Sequence, residues 1–166
     1  MSFRRAMYYI QFVGLVAVPA WVFAGRSLFG VYLGWHFHFQ SVFCPLAFIV
    51  LLLALLLTRA RDEVRTMRAV SLRDATLLTT AYAFGIAYGF FMIDAPIAGD
   101  RGASVFTELF GLDLNVISYT ISNTVGPIAA VFALAALWSA LRQLPQEARD
   151  SIHARISSLV HPLHER

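Results

Sequence analysis

The 166-residue chain is 58% hydrophobic and 14% charged, with a mean hydropathy of +0.66 and a formal net charge of +3. A soluble domain carries about a quarter charged residues, so this composition excludes an ordinary globular fold, and the length leaves room for one compact unit. All 13 basic residues are arginine, a usage that fits a GC-rich bacterial coding sequence.

The first apolar segment, about 6–24, follows Arg4 and Arg5 and has the outline of a signal peptide. It is too long for an ordinary signal core, however, and Pro19 and Trp21 occupy positions where a cleavage site needs small residues. The expectation is a retained membrane span, since a crossing helix needs about 20 mostly apolar residues.

A second span, about 35–57, opens with "WHFHFQSVFC". His36, Gln40 and Cys44 recur at four-residue steps and share a helix face. His36 and His38 are about 200° apart around a helix, which is not the i, i+4 spacing of a helical metal pair. Haem held by two histidines would need a partner on another span, yet His153, His161 and His164 all fall in the C-terminal tail. The single cysteine excludes an intramolecular disulfide relay. No metal and no cofactor is implied. After the lipid-facing run "IVLLLALLL", the helix-forming stretch "RARDEVRTMRAV" is expected to prolong the second helix, and Ser71 with Asp74 forms a capping box that restarts the chain.

The third span, about 72–93, carries Ala81, Gly85 and Gly89, one small residue every fourth position. Such a stripe admits another helix closely, either within a bundle or in a homodimer. A turn-rich stretch, "DAPIAGDRG", then leads to "SVFTELFGL", a short interfacial helix at about 104–111. The fourth span, about 116–141, follows Asn115, and Asn115, Ser118, Tyr119, Ser122 and Gly126 recur at three- and four-residue steps. In residues 145–166, Ala148, Ile152, Ile156, Leu159 and Leu163 form an apolar stripe opposed by Arg149, Asp150, His153 and Arg155, the pattern of an amphipathic helix.

The fold class expected is therefore an all-α integral membrane protein: a four-helix transmembrane bundle over residues 1–144 and an amphipathic cytoplasmic tail over 145–166. Arginine-rich short segments stay cytoplasmic. Arg4 and Arg5, then Arg59, Arg61, Arg65, Arg68 and Arg73, then Arg142, Arg149, Arg155 and Arg166 alternate with connections holding only Arg26 and Arg101. Both termini are thus expected in the cytoplasm of a bacterial cell, with the protein in its cytoplasmic (inner) membrane.

Polar residues of the spans gather in the outer half. His38, Gln40, Cys44, Tyr88, Asp94, Asn115, Tyr119 and Asn123 outline a candidate ligand site in an outward-opening cavity, or else hydrogen-bond one another as helix-to-helix contacts. His38, one step deeper than His36, is the preferred titrating group beside Asp94. Asp94 and Asp113 form the one candidate carboxylate pair, able to share a proton if they meet over the bundle. Four spans with two outer aspartates resemble the layout of the lipoprotein signal peptidases. The contexts here, "GFFMIDAP" and "FGLDLN", lack those enzymes' motif residues, so no catalytic role carries over.

Nucleic acid is excluded as a partner, because the charge is already explained by membrane topology and no basic-aromatic surface stripe accompanies it. Expected partners are membrane lipids and other membrane subunits or further copies of the chain. Three functions remain in order of preference: a non-catalytic subunit or accessory component, a transporter or channel component, and an intramembrane hydrolase using Asp94 and Asp113.

Overall fold

The computed structural model describes residues 2–94 and 102–145 and is all-helical across them. Four long helices, α1 (Phe3–Phe23), α2 (Trp35–Arg59), α4 (Leu72–Phe91) and α6 (Asn115–Arg142), are joined by two short ones, α3 (Asp62–Met67) and α5 (Val105–Phe110). The expected spans coincide with the four long helices to within a few residues, and the expected interfacial helix is α5. Helices α1, α2 and α6, the last with its leading 3-10 turn, are long and apolar enough to cross a membrane. At about 1.5 Å per residue, α2 and α6 with 25 and 28 residues exceed the roughly 30 Å hydrocarbon core. Helix α4 has 20 residues and is less apolar. The expected tail helix lies outside the described residues apart from Pro145.

The four long helices form a closed ring in which α1 packs on α2 and α4, while α6 packs on α2 and α4. Helices α2 and α4 are therefore diagonal. This arrangement explains the first departure from expectation. Helix α2 ends at Arg59 instead of running on through "RARDEVRTMRAV". To reach the far corner the chain must turn, and it does so at Arg61, whose backbone is extended at φ −76°, ψ 124° before α3 begins. Arg68 then ends α3 in the left-handed region at φ 47°.

Between the two ends of the ring the core is apolar. Met7, Leu15 and Val18 of α1, Leu51 and Leu55 of α2, Leu78, Ala81 and Tyr82 of α4, and Ala133 and Ala136 of α6 form one buried cluster. Helices α1 and α4 approach closely. A Cβ placed on Gly85 would stand 2.6 Å from Val18 Cγ1, and one on Gly89 2.5 Å from Trp21 Nε1. The Ala81, Gly85 and Gly89 stripe thus faces a helix of the same chain. Tyr82 lies across Gly14 and donates its hydroxyl to the Gln11 carbonyl at 3.0 Å, and Trp21 donates to the Ile86 carbonyl at 3.0 Å.

Candidate functional site

Polar side chains collect at both ends of the bundle. At the loop end, the 3-10 turn Gly25–Phe29 after α1 brings Arg26 beneath the chain leaving α4. Arg26 and Asp94 are 0% and 1% exposed, and Arg26 Nη2 donates to Asp94 Oδ2 at 3.2 Å. Burial lowers the Arg26 pKa, and the Asp94 charge works against that shift. Asp94 is fixed in turn by an antiparallel backbone bridge to Ala103, with N–H to O distances of 2.9 and 3.0 Å.

The other Asp94 oxygen supplies what α2 lacks. Gly34 stands at the N-cap of α2 with no side chain to offer, and the first turn holds no acidic residue. Asp94 Oδ1 accepts the His36 backbone N–H at 2.9 Å, placing a negative charge at that helix N-terminus. The His36 ring lies beside the same oxygen, with Nδ1 3.9 Å away.

One turn deeper, Gln40 bridges the diagonal. Its Nε2 donates to the Tyr88 hydroxyl at 2.9 Å and meets Met92 Sδ at 3.3 Å, while its Oε1 accepts from Cys44 Sγ at 3.4 Å. On the α5–α6 side, Ser118 links to Ser104 Oγ at 2.7 Å and to the Phe91 carbonyl at 2.7 Å, and Asn115 donates to the Gly102 carbonyl at 2.9 Å.

The eight residues expected to share a cavity therefore divide. Gln40, Cys44, Tyr88 and Asp94 meet through direct contacts, and Asn115 lies near them against the α5 approach. His38, Tyr119 and Asn123 are exposed on the outside of the bundle. For His38 the reason is helical geometry: Gln40 and Cys44 set the inward face of α2, and a residue two positions before Gln40 points away from it. His36, not His38, is the histidine beside Asp94. In the first half of α6 the buried positions are Ser118 and Ser122, which turns Tyr119 and Asn123, each one residue further, to the other side.

The Asp94 and Asp113 pair is also corrected. Both Asp94 oxygens are engaged by Arg26 and His36, whereas Asp113 is exposed in the 3-10 turn Leu112–Leu114. Among the described residues no cluster of histidine, cysteine and carboxylates has the make-up of a metal site.

The opposite, arginine-rich end holds a network that no sequence motif announced. Asp74 accepts from Arg61 Nη2 at 2.6 Å, from Ser139 Oγ at 2.7 Å and from Gln143 Nε2 at 3.2 Å, and Arg61 also bonds Gln143 Oε1. Ser71 Oγ caps α4 by accepting the Asp74 N–H at 3.1 Å, as expected. The Asp74 carboxylate, however, turns inward to join α4, α6 and the segment after α2. Arg59 packs over the Tyr8 and Phe12 rings, each 4.0 Å from its guanidinium carbon, and donates to the Tyr8 carbonyl.

The two ends differ in one respect. At the loop end Arg26 Nε and Nη1, His36 Nδ1 and Asn115 Oδ1 are buried with no hydrogen-bond partner among the described residues, and at the arginine-rich end both Asp74 oxygens are bonded while Arg59 Nε is not. The signals for Arg26 were its isolation in a short connection and the lack of a capping residue before "WHFHFQ". Those for Asp74, Arg61, Ser139 and Gln143 were absent, because their partners are far apart in sequence. Comparison with protein families, with curated proteins and with solved structures gives no match.

Proposed function

We propose that the chain is a four-span bundle of a bacterial cytoplasmic membrane, with both termini in the cytoplasm, that serves as a non-catalytic component of a membrane assembly. The observation that carries this reading is the use of its buried polar groups. Arg26–Asp94 at one end of α4 and Arg61–Asp74 at the other are taken up in holding helices together. Helix α4 suits a fourth span: its 20 residues match the hydrocarbon thickness, and Asp74 and Tyr82 are buried within the bundle. The arginine distribution supports the orientation.

Outward faces of α1, α2 and α6 present Ile10, Val13 and Val16, Val42, Phe43 and Leu46, and Val116, Val131 and Leu134, surfaces for lipid and for neighbouring subunits. Native mass spectrometry after gentle extraction tests the reading. A stoichiometric hetero-complex or a homo-oligomer is the expected result, and a lone monomer at all detergent concentrations opposes it.

The unpartnered donors of Arg26 and the free His36 Nδ1 favour a second reading, a transport component that receives a polar solute at the outer end. In that case a small molecule retained by the extracted protein is lost on Arg26→Lys, which keeps a positive charge beside Asp94 and removes the guanidinium donors.

A further inference from the structure

The arginine-rich end also carries an open cavity of about 490 Å³ between the start of α1 and the segment leaving α3, lined by Ser2, Arg4, Arg5, Thr66, Met67 and Ala69. Its chemistry is one-sided. Among the described residues its lining includes two arginines, a serine and a threonine, and no acidic residue.

Four of the six other described arginines at this end have assignments, and the remaining two, Arg68 and Arg73, are exposed and do not line the cavity. Arg59 lies on Tyr8 and Phe12, Arg61 is bonded to Asp74, Arg65 is bonded to Asp62, and Arg142 covers the Trp138 ring. Arg4 uses only Nε, which donates to the Val70 carbonyl at 2.8 Å; that bond, with Val70 N–H to the Arg4 carbonyl, fixes the wall of the cavity. The two Nη atoms of Arg4 and the whole Arg5 guanidinium make no hydrogen bond or ion pair among the described residues. Ser2 is likewise unused: it occupies the N-cap of α1 without a side-chain capping bond. Met67 adds an apolar side chain to the lining, and Phe3 and Leu72, close to lining residues in the chain, are exposed.

We propose that this cavity binds a phosphate group, presented by an anionic phospholipid headgroup or free in solution. The forked guanidinium donors of Arg4 and Arg5 match phosphate oxygens in geometry as well as charge. The hydroxyls of Ser2 and Thr66 supply further donors. The volume lies within the range of small-ligand sites, and the exposed Phe3, Met67 and Leu72 form a surface along which acyl chains run when the phosphate belongs to a lipid.

The test is native mass spectrometry of the full chain in mild detergent, titrated with phosphatidylglycerol, with phosphatidylcholine and with inorganic phosphate. Phosphatidylglycerol should be retained over phosphatidylcholine. Arg5→Gln, a change at an exposed residue with no bond to lose, should lower its retention by about fivefold, and Thr66→Glu should lower it further by placing a carboxylate in the lining. Arg142→Gln, which removes an equal charge at the same end but away from the cavity, should leave it unchanged. Displacement of the lipid by millimolar inorganic phosphate, with the same dependence on Arg5, assigns the site to free phosphate; persistence of the lipid assigns it to the headgroup. Equal retention of both lipids without phosphate binding, an Arg142→Gln effect as large as that of Arg5→Gln, or no effect of Thr66→Glu overturns the proposal.

Discussion

Arg26 and Asp94 illustrate how costly a charge becomes once its surroundings are dry. Each is almost fully buried, so removal of either leaves an uncompensated charge, whereas removal of both leaves none. Arg26→Met is expected to destabilise the bundle by roughly 3–5 kcal/mol, while Arg26→Met combined with Asp94→Asn should recover most of the loss. Thermal unfolding in detergent checks this, and equal damage from the single and double variants would oppose the pairing. Asp74→Ala should cost a similar amount, since it strands Arg61 and removes the acceptor shared by Ser139 and Gln143. Asp74→Asn should cost less because it retains an acceptor oxygen. At this scale the sequence was least informative. It drew attention to His38, Tyr119 and Asn123, which are polar but lie on the outer surface, and it passed over Arg26, whose partner is 68 residues away. A polar residue's depth along the membrane is legible in one sequence. Its direction around the helix is legible only when enough neighbours mark the buried face.

Among the helices, the small-residue stripe of α4 was readable as a close-approach face, but not as a face towards α1. Gly85 and Gly89 fit against Val18 and Trp21 of the same chain, so their enlargement acts on folding before it acts on assembly. Gly89→Leu should lower stability by about 1–3 kcal/mol through overpacking. Assembly mass, where folded protein persists, should stay the same; loss of association at unchanged stability would instead place the stripe between chains. The long helices themselves were legible because length and apolarity are local properties, and Ser71 was legible because a cap acts within three residues. The break after α2 was not. "RARDEVRTMRAV" has helical composition throughout, and what interrupts it is the demand that α4 occupy the corner diagonal to α2, with Arg61 turned towards Asp74. Arg68, held at φ 47°, marks the same turn. Arg68→Gly should raise stability by a fraction of the roughly 1–2 kcal/mol that a left-handed conformation costs a residue with a Cβ.

For the whole molecule, the ring order gives polar contacts a specific task. Helices α2 and α4 pack on the pair between them, and polar side chains bridge the diagonal at its two ends: Gln40 of α2 to Tyr88 and to Met92 just after α4, and Arg61, just after α2, to Asp74. Apolar packing in lipid lacks the drive it has in water, so such end contacts fix which corner each helix takes. That logic requires α4 to cross the membrane alongside the other three, although it is the least apolar. Cysteine accessibility decides the matter. In a Cys44→Ala background, Ser27→Cys, Thr66→Cys and Leu109→Cys each place a thiol at an exposed position in one of the three connections. With a membrane-impermeant maleimide on intact cells, the first and third should be labelled and the second only after permeabilisation. Labelling of the second alone would invert the orientation while keeping the span count. Leu109→Cys behaving like Thr66→Cys would show that α4 turns back without crossing, and would put the two buried arginine–aspartate pairs on the same side of the membrane.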